Sequence, residues 1–264
     1  MKLFIVLVSM LVNCTIENLA HAAKLAGVRT RRLMLANSLF NLFLMAAGVA
    51  MGIQAPLVNN LVDGAVLHAA TAQVLYYCRW IIYARAVGYA LGMFLIPWFV
   101  AIMERGVREM ERNGGLLFDA LLAYTTPRTL GPMLRQFRLL RFADIAAALR
   151  APYPRRILVV TIFVTAFYPA IDMAALYASA LVPAWPRTAL ALSTALRGVG
   201  TMLFVLLVDP FSALIIDRAA AAELPETAAE HIVVWLSGGK TLGALGAQLL
   251  LLPLTELIVR VIGG

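Results

Sequence analysis

Apolar residues dominate long stretches of this chain, interrupted by short polar or basic segments. Runs of about 18 or more such residues read as membrane spans, because roughly 20 helical residues cross a hydrocarbon core of about 30 Å. The pattern predicts six spans, near Leu3–Ala23, Leu33–Ile53, Ile81–Met103, Ile157–Val182, Ala189–Val208 and Thr241–Ile262. The stretch Pro56–Cys78 is broken by Asn59, Asn60, Asp63 and Gln73, and reads as an external or interfacial segment. Backbone groups in lipid need internal partners, so the spans are helices, and the alternation of a membrane barrel is absent. The expected fold is an all-α polytopic transmembrane bundle forming a single domain over 1–264.

The N-terminal run, with Lys2 before LFIVLVSMLV and Ala20-His21-Ala22 after it, imitates a secretory signal. It continues through Glu17 and His21 into a basic segment and a second span, as a first membrane helix does. Composition strengthens the membrane reading. Of 264 residues, 62% are hydrophobic and 14% charged, against about 45–50% and about 25% in soluble domains. Mean hydropathy is +0.86. Two cysteines, Cys14 and Cys78, give no disulfide framework.

The net charge of +8 is concentrated in loops, which argues against nucleic-acid binding. One cluster holds Lys24, Arg29, Arg31 and Arg32. The loop 104–156 holds ten arginines, Arg105 through Arg156. Short basic loops stay in the cytoplasm, which places both termini outside. The segment Asp209–Lys240 lies inside on this topology, although it carries only Arg218 and Lys240 against five acidic residues. Within the large loop, Gly131–Ala151 alternates Arg135, Arg138 and Arg141 with Met133, Leu134, Phe137 and Leu140. This pattern predicts either an amphipathic helix on an anionic leaflet or a loop whose arginines only set orientation.

Polar residues within spans are the candidate chemistry, since ionisable groups at that depth are costly. Asn13, Glu17, His21 and Lys24 fall on one stripe of the first helix. Asn37 and Asn41 lie four apart on the second and read as cavity lining or as interhelical glue. Arg79 and Arg85 enter the third span, Asp172 the fourth and Arg197 the fifth, which Asp209-Pro210 closes. Gln248 and Glu256 lie in the sixth. Arg79 and Lys240 also suit snorkelling from span ends, and Arg85, Arg197, Glu17 and Asp172 also suit mutually neutralising structural pairs.

Gly48-x-x-x-Gly52 and Gly88-x-x-x-Gly92 permit close helix approach. Pro97, Pro169, Pro210 and Pro253 fall in or beside spans, where they kink helices. The run Ser237-Gly238-Gly239-Lys240-Thr241 reads as a helix start whose amides meet an anion. The chain has no H-E-x-x-H, no complete phosphate loop, no paired-cysteine motif and no D-x-x-D cluster. Neither catalytic residues nor metal ligands nor a cofactor are expected. Buried arginines match a phosphate or diphosphate, so the residues point to a transporter or flippase of an anionic substrate.

Several strings carry a resemblance. Leu25-Ala-Gly-Val-Arg-Thr-Arg-Arg-Leu33, Ser38-Leu-Phe-Asn41 and Gln54-Ala-Pro56 are followed in order by Leu95-Ile-Pro-Trp-Phe-Val100 and Val208-Asp-Pro-Phe-Ser212. Asp217, Val233-Val-Trp-Leu236, Gly243 and Ala247-Gln-Leu-Leu250 complete the series. Together they resemble the Amj family of lipid II flippases over nearly the whole chain. The resemblance implies movement of lipid II, the undecaprenyl-diphosphate-linked peptidoglycan precursor, from the inner to the outer leaflet of the bacterial cytoplasmic membrane. It implies lipid II and membrane lipids as partners, and the cell-wall synthesis machinery as a further partner class.

Arg29, Arg79, Arg85 and Arg197 would then meet the diphosphate. Asn37 and Asn41 would line the path with the carboxylates Glu17, Asp172, Asp209 and Glu256. One place departs from the family pattern: Met45–Gly52 is apolar where relatives carry a polar, arginine-containing run. Arg79 or Arg85 would replace that arginine. The competing readings are a transporter or scramblase of another anionic lipid or solute, and a membrane-embedded enzyme or assembly subunit.

Overall fold

The computed structural model describes residues 1–68, 70–112, 114 and 137–263. Among these residues there are nine helices and no strand. They are α1 (Lys2–Leu19), α2 (His21–Thr30), α3 (Leu33–Leu67), α4 (Thr71–Arg112), α5 (Phe142–Arg150), α6 (Arg155–Leu181), α7 (Pro186–Leu207), α8 (Asp209–Ala220) and α9 (Glu226–Gly263). Six segments are long and apolar enough to cross a membrane: α1 with α2, α3, α4, α6, α7 with α8, and α9. The sequence-predicted helices are therefore present in their expected order, but most are longer.

The largest difference falls on Pro56–Cys78. Most of it is helix: α3 passes through Pro56 to Leu67, and α4 begins at Thr71. Asn59, Asn60 and Asp63 lie on exposed helix surface at that end. Polar side chains there leave the lipid without breaking the backbone ladder, so hydropathy stops before the helix does. Likewise α9 starts at Glu226, not near Thr241. Gly239 is thus mid-helix, its amide is used within the helix, and the anion-binding reading of 237–241 fails.

Close helix approach is set by two glycine pairs. A Cβ at Gly88 would lie 2.5 Å from the Leu11 carbonyl oxygen, and one at Gly92 would lie 2.8 Å from that of Thr15. α1 and α4 therefore meet backbone to backbone. Thr15 Oγ1 donates to the Gly88 carbonyl at 3.0 Å, and Asn18 Nδ2 to that of Tyr89 at 2.6 Å. The second pair was not singled out from the sequence. A Cβ at Gly243 would lie 2.1 Å from Thr165 Oγ1, and one at Gly239 would lie 2.6 Å from Thr161 Cγ2, which seats α9 on α6. Gly48 and Gly52 differ, since a Cβ at either meets nothing within 4 Å.

α3 is tied to α1 by side-chain amides. Asn13 Nδ2 donates to the Ala47 carbonyl at 3.1 Å, and Gln54 Nε2 to that of Val6 at 3.0 Å. Two apolar clusters fill the ends of the bundle. One contains Val6, Ile81, Ile82, Leu251 and Ile258, and the other Ile96, Val100, Met103, Ile216 and Ile232. Most of the intramembrane charge lies between them or at their margins.

The end of the bundle carrying the basic loops is held by Arg29. Its guanidinium contacts Glu104 at 3.1 Å and Glu230 at 2.8 Å, and it also bonds Glu226, so it links α2, α4 and α9. Arg32 pairs with Glu111 beside it. In the basic loop, residues 131–136 of the expected amphipathic helix lie outside the described residues. Phe137–Arg141 is not helical, and helix begins only at Phe142. α5 is anchored to the bundle rather than lying free: Trp235 Nε1 donates to the Ala148 carbonyl at 2.7 Å, and Leu140 N to that of Phe94 at 2.9 Å. Nearby, Tyr153 Oη donates to the Ala228 carbonyl at 3.1 Å. Burial pushes its phenol above the usual range, keeping it a neutral donor.

Candidate functional site

Asp172 on α6 is the centre of the most concentrated charge. Both Arg85 terminal nitrogens, from α4, lie 3.3 Å from its Oδ2. Arg197 of α7 donates through Nε to Oδ1 at 3.1 Å and contacts the same oxygen through Nη2. The Arg85 and Asp172 side chains are 6% and 8% exposed, whereas Arg197 is 41% exposed. One carboxylate thus faces two guanidinium groups and leaves one positive charge uncancelled. Arg85 Nε, moreover, is buried and has no hydrogen-bond partner.

These three residues line a cavity of about 230 Å³ between α3 and α7. Gln54 and Asn59 of α3 and Ser193 of α7 add polar atoms, and Met10 of α1 contributes to the lining. The group can accept an anion with two or more oxygens. Arg197 reaches it from the open side, and Arg85 holds the carboxylate from behind.

A second cluster lies one turn along α4. Glu17 Oε1 accepts from Lys240 Nζ at 2.9 Å, and its Oε2 accepts from Tyr89 Oη at 2.9 Å. Lys240 Nζ also sits 5.8 Å from the Tyr89 ring centre. This group is neutral overall. Lys240 therefore turns inward to a carboxylate and does not snorkel. His21, one turn beyond Glu17, is buried against Phe40 with neither ring nitrogen bonded.

A third polar place is a groove of about 400 Å³ between α3 and α8. It is lined by Lys24, Asn37, Asn41, Asp209 and Asp217 among others. Lys24 Nζ lies 3.9 Å from Asp209 Oδ1 and 4.9 Å from the Phe40 ring centre. Asn37 and Asn41 are exposed here and are not among the cavity's lining residues, so the interhelical-glue role falls to Asn13 and Asn18 instead.

The sequence-predicted set thus divides. Arg85, Asp172 and Arg197 come together, while Lys24 brings Asp209, Asn37 and Asn41 into one groove. Glu17 stands between these groups. Three expectations are corrected. Arg29 is engaged by three glutamates at the basic end of the bundle, away from the cavity. Arg79 is exposed, and the contact it makes with Gln248 is through its own backbone carbonyl, at 2.8 Å. Glu256 pairs with Arg260 one turn away on an exposed face. In each case the residue lies near a span end, where solvent or surface partners remain within reach.

Tyr89, Gln54, Asn59 and Ser193 were not anticipated. Tyr89 had a signal, its position four residues after Arg85 on the same face. Gln54 sits in the Gln54-Ala-Pro56 string and Asn59 in the stretch 56–78 that reads as external or interfacial, so neither is marked as a cavity residue by the sequence.

A six-span helical bundle with an arginine-rich cleft between two of its outer helices defines a polytopic membrane protein with a charged interior. Comparison with known proteins is specific. The family model described as Amj, Alternate to MurJ, matches residues 8–262, and the chain belongs to that family. It is similar to the protein named lipid II flippase Amj of Bacillus subtilis (strain 168), with 29% identity over 239 residues, covering 90% of this chain and 88% of that one. No solved structure matches.

Proposed function

We propose that this protein is a lipid II flippase of the bacterial cytoplasmic membrane, carrying the diphosphate-linked head group from the inner to the outer leaflet. The observation that carries this reading is the Asp172 cluster: two arginines around one carboxylate, in a cleft bordered by lipid-facing helices. A diphosphate matches the fork geometry of guanidinium groups. The surplus positive charge favours an anion, and Arg197, 41% exposed, presents it to the open side. Family membership and the name of the Bacillus subtilis relative support the same substrate.

In this reading the arginines bind and orient the diphosphate, and Asp172 keeps both side chains extended between visits. No covalent step is needed. The test is cellular. Depleting the resident lipid II flippase of a bacterium and expressing this chain should restore growth and external accessibility of lipid II. Correct insertion without either effect would overturn the proposal. Restored transport of a different anionic lipid would transfer it to another substrate.

A further inference from the structure

The cavity at Arg85 and the groove at Lys24 share one face of α3. The groove takes Leu33, Met34, Ala36, Asn37, Phe40 and Asn41, and the cavity takes Met51, Gln54, Ala55, Val58 and Asn59. Each member of the second set stands 18 residues beyond its counterpart in the first, which is about five helical turns and about 27 Å along the axis. The stretch between them therefore continues one helix face, exposed at Asn41, Gly48 and Ala55. That distance approaches the thickness of a hydrocarbon core, about 30 Å.

The other sides of the two spaces also correspond. The first span supplies Met10 to the cavity and Lys24 to the groove, with Glu17 midway at intervals of about two turns. The fifth span supplies Ser193 and Arg197 above, and Asp209 and Asp217 below. Between those pairs the ring of Tyr168 of α6 packs on Gly200 of α7, 3.4 Å from where a Cβ would stand.

Gly48 lies on the connecting stretch of α3, with Gly52 at its edge. Both are exposed, and a Cβ on either meets nothing within 4 Å. They are therefore not packing glycines of this bundle, unlike Gly88 and Gly243, and Gly48 keeps the wall of α3 low between the two spaces.

We propose that the groove, the Glu17–Lys240 pair and the arginine cavity are three stations of one lipid-open seam between α3 and α7–α8. Through it passes the head group of a polyisoprenyl-diphosphate lipid while its chain stays in the hydrocarbon. The proposal rests on the flippase reading for its passenger. Asn37 and Asn41, with Lys24 and the carboxylates Asp209 and Asp217, receive the head group in the inner leaflet, a set suited to its sugar hydroxyls and peptide amides, with Lys24 the one cation among them for a phosphate oxygen. The Asp172 cluster receives it in the outer leaflet. Midway, the neutral Glu17–Lys240 pair presents no net repulsion to an anion, and its parting exposes the ammonium. Only the polar end needs protein contact, so the seam can stay open on its lipid side.

Photocrosslinking tests this directly. Benzoylphenylalanine is placed at Asn41, Gly48 or Ala55 on the seam, and at Val49 or Ile53 on the lipid face. The full chain is then reconstituted in phosphatidylglycerol vesicles containing a polyisoprenyl diphosphate. Diphosphate-lipid adducts should exceed those at Val49 and Ile53 several-fold at all three seam positions. Equal labelling on both faces, or adducts at Gly48 made only with a second copy of the chain, would overturn the seam. In cells, Gly48→Leu should insert normally and lose flipping, while Val49→Leu keeps it. If the wild-type chain flips lipid II and Gly48→Leu does so equally well, the seam fails and the flippase reading stands. If the wild type flips nothing, that reading fails and the adduct pattern still decides the seam.

Discussion

Asp172 shows how far single residues can be read. Sequence marks Asp172, Arg85 and Arg197 individually, because a charge at membrane depth is expensive wherever it occurs. It does not pair them, since Arg85 and Asp172 are 87 positions apart and only the fold fixes their distance. Removing the carboxylate strands a buried cation. Asp172→Asn is expected to cost about 3–5 kcal/mol, read as a lower unfolding midpoint in detergent. Arg197→Gln is expected to cost far less, because Arg197 is 41% exposed. Arg85→Lys keeps the charge and loses the fork, so insertion and stability should hold while flipping falls about tenfold. A flipping rate equal to wild type would remove Arg85 geometry from the mechanism. For Glu17 and Lys240 the separation is 223 positions. Glu17→Gln and Lys240→Met should each destabilise the protein, and the double variant should lose about 0.5–3 kcal/mol less than the sum.

At the scale of helices, the glycine motifs separate what a pattern says from what it leaves out. Gly48-x-x-x-Gly52 and Gly88-x-x-x-Gly92 share the same glycine spacing, yet one faces open space and the other a backbone. Spacing places two glycines on one face but does not say what that face meets. Gly239-x-x-x-Gly243 was hidden for a different reason: its neighbours Ser237, Gly238 and Lys240 imitate a helix start, and the helix in fact begins at Glu226. The centres of all six spans were legible from hydropathy. Their ends were not, since α3 and α9 continue as helix where the side chains turn polar. Gly243→Ala should cost about 1–3 kcal/mol through overpacking against Thr165 and Ala166. Gly48→Ala, with nothing to strike, should stay within about 0.5 kcal/mol of wild type. Thermal unfolding of both variants in one detergent separates them.

Across the whole molecule, orientation is an expectation from basic loops that the arrangement of ends makes testable. Arg29, Glu104, Glu226 and Glu230 gather at one end, and Lys2 meets Asn60 near His68 at the other. In intact cells, a membrane-impermeant maleimide should label His68→Cys, and Arg112→Cys only after permeabilisation. Background is low because Cys14 and Cys78 are buried. The reverse pattern would invert the topology. With the termini outside, the cation that Asp172 leaves uncancelled lies towards the outer face. A resting voltage, negative within, drives an anion outward with about 2.3 kcal/mol per charge per 100 mV. The cell's electric field and the fixed charge of the protein then point the same way. Export becomes the downhill direction, and an imposed positive-inside potential should slow it.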